Sequence, residues 1–525
     1  MRFGLALLFA WSGLASAEET LTYCADSSPQ TFNPQLTEDL ATFNATSRTI
    51  YDRLLDFEPG STKVTAGLAE SWTVTKDGKT YTFKLRPGVQ FHSTDQFKPT
   101  RTFNADDVVF SFSRALQKDH PFHAVSGGKY VYFENLGLKN LIQKIEKIDD
   151  LTVKFVLRRP EAPLLAELAM GYAVILSEEY AKQLELAGMA RNIDIEPVGT
   201  GPFQLDRYLK DSSIRYSAHP AYWRGRANID KLVFTIVPEA SKRFAKLKRG
   251  ECQLMGEPDP QDLAEFTGQA KIKLVSQPGA NLGYLAFNVK KAPFNKLIVR
   301  QAIGHALNRP AYVDSIYNKN ALLAKNPMPP AVWGYADDTP DLTFDPEKAK
   351  TLLKKAGYAK GFEAELWTLP LSRPYNPSGR KLGELMQADL AKVGIRLRLV
   401  TFDWLTYLTK ARQGEHQLIQ LGWTSDSGDP DGFLRNLLGC SAISGGTNLA
   451  RWCNSKYDRL VEKARGLNEL QDRKPLYHQA QAVFHQHMPW IPIAHATVFR
   501  GHSADLEGYQ ISPLGLEDFY PLKLK

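Results

Sequence analysis

The sequence predicts an α/β protein of two or more domains, built on mixed or parallel sheets. Three observations carry that expectation. The chain has 525 residues, more than one hydrophobic core serves. From Leu282 onward, apolar strand-like runs alternate with capped helical segments, the pattern of α/β folds. The first half instead carries short β-rich runs separated by turn signals.

Taken in order, residues 1–17 read as an export signal. Arg2 supplies the positive start, Phe3 to Leu14 is an apolar stretch too short to span a bilayer, and Ala15-Ser16-Ala17 gives a small-x-small cleavage pattern. A mature chain from Glu18 is expected, without a lipid anchor because no cysteine sits at the cleavage point. No later run is long and apolar enough to suggest a spanning helix. The periplasm is the expected compartment.

Ser71 to Leu85 reads as a hairpin: Trp72 and Val74 alternate with polar residues, Asp77-Gly78 turns the chain, and Tyr81, Phe83 and Leu85 alternate again. Asn104, assisted by Asp107, is placed to cap a helix over Ala105 to Leu116. Leu151 to Leu157 is β-rich, and Pro197 to Phe203 is turn-rich punctuation before a strand near Ile214 to Ser217. The second half gives a strand over Leu282 to Val289 and a helix over Leu297 to Leu307. A further helix opens with Asp345 and Pro346 and closes at Gly357. Strand Glu363 to Leu369, helix Gly379 to Val393 and strand Ile395 to Phe402 follow. From about Thr497 the chain returns to extended, turn-rich sequence.

Composition narrows the function. A formal charge of +8 spread over this length, with no dense Lys/Arg run, argues against nucleic acid. Four cysteines in an oxidising compartment read as two disulfides. Three pairings are open, and Cys440 and Cys453 are close enough in sequence to staple one loop. Neither a nucleophile elbow, a His-Glu-x-x-His motif nor a phosphate loop occurs, which disfavours a secreted peptidase. His478, His485 and His487 lie near one another, and His478 and His485, seven apart, could share a face, but without a clear third ligand ordinary surface or core histidines are expected rather than a metal site. Asp429-Pro430-Asp431-Gly432 resembles the middle of a calcium loop, yet Ser427 and Leu438 occupy its first and twelfth positions, so the match fails at both ends. Asp429 and Asp431 are expected to form a turn and cap the helix after it.

Asp426 and Arg373 stand out by position. Asp426 follows the strand-like run Leu418 to Trp423, and Arg373 lies in a second loop that follows a strand. Open α/β sheets bind ligands at such strand ends. A carboxylate and a guanidinium on two such loops suit the two termini of a zwitterion.

Gly67 to Trp72 with Asp77 to Tyr81, Phe103 to Phe110, Pro197 to Phe203 and Tyr284 to Asn288 together resemble the bacterial extracellular solute-binding proteins of the peptide and nickel type. The resemblance covers essentially the whole mature chain. Arg373 to Pro377, Gly422 to Thr424, Gly428 to Asp431 and the cysteine placement are most similar to its dipeptide-binding members. It implies a two-lobed periplasmic clamshell with mixed sheets and an extra β-rich subdomain. Lobe I would be 18–278 with 497–525, and lobe II 279–496. It implies a monomer without cofactor or metal that captures dipeptides and delivers them to an ABC permease. Receptors for oligopeptides, antimicrobial peptides or haem are the alternatives within the family. By the same resemblance, Asp426 pairs with the ligand ammonium and Arg373 with its carboxylate. Backbone near Gly422 holds the ligand extended, Trp423 and Tyr375 line the pocket, and the disulfides are Cys24–Cys252 and Cys440–Cys453. The loop Thr37 to Thr42 departs from the smaller, neutral loop expected there. Its carboxylates either bias side-chain preference toward basic residues or face solvent.

Overall fold

Local sequence rules place many elements of the computed structural model, which describes residues 18–259 and 262–525. The expected signal segment lies outside the described residues. The helix Ala105–Leu116 begins with a capping box. Asn104 Oδ1 accepts from Asp106 N at 2.9 Å, and the Asp107 carboxylate accepts from Asn104 N at 3.0 Å, which satisfies backbone donors that a helix start leaves open. The helix Pro346–Lys355 has its Asp345 cap, and Gly357 sits at φ +90° beyond its end, where a side chain would strain the backbone.

The hairpin forms from strands Ala69–Val74 and Thr80–Leu85. They join Thr152–Leu157 and Ile142–Asp149 in a four-stranded antiparallel sheet. Tyr81, Phe83 and Leu85 point into its core while Thr80, Thr82 and Lys84 do not, the period of two that a half-buried sheet requires. This sheet is the extra β-rich subdomain.

A larger mixed sheet of twelve strands organises the rest. Its spine is the strand Trp490–Ser503. The first part of that strand pairs with Asn281–Phe287 and Ala321–Leu323, and the later part pairs with Ile272–Pro278. The change of partner falls between Ala496, opposite Ala321, and Thr497, opposite Pro278. Two lobes therefore grow from one sheet, joined where these strands cross. The sequence places extended chain only from about Thr497, yet the strand starts seven residues earlier at Trp490. Pro492 hid that start, because proline cannot donate to a ladder and argues against a strand interior. Here the register slips at Gly283 and Tyr284, opposite it.

Disulfides join Cys24 to Cys252 and Cys440 to Cys453. The first ties the edge of the small core around Val237, Phe244 and Leu247, and the second closes the loop after the helix Asp431–Leu438. Among the described residues no helix is long and apolar enough to cross a membrane.

Candidate functional site

The strands Phe362–Trp367 and Leu418–Thr424 are parallel neighbours, with Leu366 opposite Leu418 and Trp367 opposite Ile419. Their carboxyl ends therefore emerge on the same side. The loop after the first carries Arg373, and the loop after the second carries Asp426. On its other flank the Leu418–Thr424 strand runs antiparallel to Asn281–Phe287, with Gly422 opposite Gly283. Ser425 N donates to Ala280 O at 2.8 Å, continuing that ladder into the loop.

The two glycines fix how the Arg373 loop lies. A methyl group on Gly422 would meet the Tyr375 ring at 2.2 Å, and one on Gly283 would meet the Tyr375 carbonyl at 2.3 Å. Only hydrogen at both positions lets Tyr375 rest on the sheet. Tyr317 donates its hydroxyl to the Tyr375 carbonyl at 2.6 Å, and Asn376 Nδ2 donates to Gln420 Oε1 at 3.2 Å. Arg373 and Asn376 exchange backbone hydrogen bonds of 3.1 and 2.9 Å. Tyr375 is thus buried and supports the loop from behind.

Arg373 is half-buried. Its guanidinium carbon lies 5.1 Å from the Trp404 ring centroid. Burial raises the Tyr375 phenol, and the Arg373 charge opposes that rise. Among the described residues no carboxylate stands within ion-pair distance of Arg373.

Asp426 faces the opposite lobe, against Phe43, Tyr132, Met170, Gly171 and Leu514. The Tyr132 side chain lines the same small cavity, and its hydroxyl favours the charged form of the carboxyl. The residue is exposed by its surface, while crowding of its carboxyl by the facing lobe pushes the group up to about 6. Glu38 adds to that rise, and the Tyr132 hydroxyl opposes it. Tyr132 is held by stacking on Tyr172, with centroids 5.0 Å apart and planes 12° from parallel. Trp423 is half-buried against the main core.

The loop Thr37 to Thr42 divides its two carboxylates. Asp39 caps the helix Leu40–Thr46 by accepting from Thr42 N at 2.9 Å. Glu38 accepts from Asn135 Nδ2 at 2.6 Å. Asp429 forms the expected turn, accepting from Asp431 N at 3.0 Å. It also pairs with Arg473 at 2.9 Å, and Asp431 lies 3.4 Å from Arg465. His485 and His487 go to separate partners, Asn326 and Asn454.

Three residues at the site carried no sequence signal of a role: Tyr132, Trp404 and Tyr317. Tyr132 sits in an aromatic run, Tyr130-Val131-Tyr132-Phe133, that reads as core, and only the packing of the two lobes brings it to Asp426.

Comparison with known proteins places this geometry in a family. Residues 63–445 match the family described as bacterial extracellular solute-binding proteins, family 5 middle. The chain is 48% identical over 519 residues to the dipeptide-binding protein of Escherichia coli strain K12, covering 99% of this chain and 97% of that protein. The solved structure of HbpA2 from Haemophilus parasuis superposes with a TM-score of 0.94 at 42% identity, covering 96% of this chain and all of that one. A dipeptide-binding protein from Pseudoalteromonas sp. SM9913, solved in complex with Met-Leu, gives 0.79 at 38% identity, covering 97% and 100%. These are two-lobed binding proteins rather than enzymes, and the chain belongs to the bacterial extracellular solute-binding proteins, family 5.

Proposed function

We propose that the protein is a periplasmic receptor that captures dipeptides by both charged termini and hands them to an ABC permease. The observation that carries this reading is the placement of Arg373 and Asp426 on loops at the same end of two parallel neighbouring strands. In this reading Asp426 takes the α-ammonium and Arg373 the α-carboxylate. Backbone near Gly422 holds the ligand extended in the manner of an added strand. Trp423 forms a wall, and Tyr375 fixes the Arg373 loop. The similarity to the E. coli dipeptide-binding protein supports the ligand class.

The physics follows from closure. Residues 18–278 with 497–525 form one lobe and 279–496 the other, hinged where Trp490–Ser503 changes partner. When the lobes close, water leaves both peptide termini, and each buried charge then needs a partner. Removing one partner of a buried pair costs about 3–5 kcal/mol. Two extended residues span at most about 7 Å, so a fixed Asp426–Arg373 separation excludes peptides that cannot place both ends. Side chains vary freely where water fills their pockets, since bridging water is nearly as good as a direct bond. The ligand favours the closed form only through its better contacts there. The protein acts as a monomer in this scheme.

Calorimetric titration of ligand-stripped protein tests the reading. Tight binding of Ala-Ala, with weak binding of Ala-Ala-Ala and N-acetyl-Ala-Ala, is the expected result. Equal binding of all three, or binding of haemin alone, overturns it.

A further inference from the structure

A second polar cluster joins the lobes away from Arg373 and Asp426. Glu161 follows the extra four-stranded sheet and is buried. Its Oε1 accepts from Arg465 Nε at 3.1 Å and from Arg465 Nη2. Arg465 ends the helix Ser455–Arg465 of the other lobe. Beside this pair, Ala162 N donates to Arg465 O at 2.8 Å, and Asn468 Nδ2 donates to Thr75 O at 3.3 Å. The extra subdomain thus docks on the facing lobe through one buried ion pair flanked by two hydrogen bonds.

The charges there do not balance. Four carboxylates are buried, Glu161, Glu167, Asp429 and Asp431, against two buried guanidiniums, Arg465 and Arg473. Asp429 is matched by Arg473, which also donates to the Tyr477 hydroxyl at 2.8 Å. Arg465 is shared among Glu161, Asp431 and the half-exposed Glu462. Two further arginines reach the rim: Arg159 lies 3.4 Å from Glu161 Oε2, and Arg435 lies 3.3 Å from Glu462. Glu161 Oε2, Glu167 Oε2 and Asp431 Oδ1 are buried and make no hydrogen bond among the described residues. Asp431 Oδ1 keeps Arg465 Nε at 3.4 Å and Glu161 Oε2 keeps Arg159 at 3.4 Å, while Glu167 Oε2 has no ion pair among the described residues. A buried carboxylate oxygen in that position is costly as an anion and cheap as an acid.

We propose that this cluster is a proton-dependent latch, in which closing the extra subdomain onto the facing lobe takes up a proton that Asp431 or Glu167 retains. The inference rests on the division into closing lobes given above. Glu161, Glu167 and the rim Arg159, which stays 3.4 Å from Glu161, come from the extra-subdomain side; Asp429, Asp431, Arg435, Glu462, Arg465 and Arg473 stay together on the facing lobe when the lobes part. Burial, with Glu161 and Asp429 adding and Arg465 opposing, pushes Asp431 up to about 7. Burial first, then Glu161 and Asp431, raises Glu167. The nearby phenols of Tyr81, Tyr172, Tyr457 and Tyr477 are all raised by burial and stay protonated. An acid whose closed-form value is raised binds more protons closed than open between the two values. Closure is therefore favoured at lower pH and weakens as pH rises from the ordinary carboxylate range through about 7, by up to about tenfold per pH unit for one proton.

Calorimetry of Ala-Ala binding at pH 7.5, in two buffers of different ionisation enthalpy, counts the protons. At that pH Asp426 is already ionised, while the α-amino group of Ala-Ala, ordinarily about 7.7–8.0, takes up the same fraction of a proton in wild type and variants, so the latch is read from the difference between them. The wild type is expected to take up a measurable fraction of a proton, and Asp431→Asn or Glu167→Gln to take up less. No uptake by the wild type, or the same uptake by both variants, overturns the latch. Failure of Ala-Ala to bind overturns the dipeptide reading instead. The latch is then read without ligand, from nitroxides at the exposed positions K76C and K474C. Their separation is expected to shorten between pH 8 and pH 5, and an unchanged distance overturns it.

Discussion

Tyr132 faces Asp426 across the two lobes, the two side chains lining one small cavity. The Tyr132 hydroxyl favours the ionised form, while crowding of the carboxyl by the facing lobe and the Glu38 charge favour the acid. Peptide ammonium pairs only with the ionised form. With the latch proton removed by Asp431→Asn together with Glu167→Gln, dipeptide affinity should therefore fall as pH drops below about 6, by about tenfold per unit well below that value; in the wild type the latch opposes that fall. Tyr132→Phe removes the group that opposes the rise, so its affinity–pH curve should shift to higher pH. Titrations of that latch-free protein from pH 4.5 to 7.5 check both, and a flat profile there would remove Asp426 from the ammonium site.

Arg373 is a half-buried guanidinium with an aromatic neighbour, Trp404, rather than a carboxylate. Its replacement should cost little stability, about 0.5–1 kcal/mol for a partly exposed cation–π contact. Binding should suffer far more. Arg373→Met is expected to weaken Ala-Ala by about 100-fold or more, the loss of one partner from a desolvated pair. Thermal unfolding and titration of the same sample separate the two effects.

Gly422→Ala should destabilise the protein by about 1–3 kcal/mol, the usual cost of overpacking. The added methyl meets the Tyr375 ring at 2.2 Å and the Leu282 carbonyl at 2.5 Å. Whichever moves, the Arg373 loop is displaced, so affinity falls together with stability. Urea unfolding with a parallel titration checks the pairing, and a stability loss with unchanged affinity would detach Tyr375 from the site.

The Cys440–Cys453 bridge closes a short loop, with a sequence separation of 13. Removing both cysteines as serines should cost about 3 kcal/mol if the gain is unfolded-chain entropy. The Asp458 carboxylate accepts from Cys440 N at 3.0 Å and would hold part of the loop in place, so dipeptide affinity should change little. Urea unfolding measures the first quantity and titration the second.

Asn104 with Asp107, Asp345 with Pro346, and the Asp77-Gly78 turn were legible in the sequence by itself. Each satisfies or shapes backbone within a few residues, so the neighbours that decide it are adjacent in the chain. The alternating Tyr81, Phe83 and Leu85 were legible for the same reason, since the pleat fixes their side from spacing alone. Arg373 and Asp426 could be singled out because each sits in a loop after a strand. That they emerge from parallel neighbours on one side was decided by strand order, which no local pattern contains. The partners of Asp429 and Asp431 were likewise invisible. Arg473 and Arg465 are ordinary basic residues on helices until packing removes the water around them. Tyr132 reads as one core aromatic among several until the lobes meet. The sequence determined the caps, turns and strand faces set by near neighbours and which loops carry charge, because those follow from short-range sterics and hydrogen bonding, but not the start of the central strand at Trp490. Tertiary structure alone decided which charges lose their water and which partner each then finds, because desolvation depends on everything packed around a group.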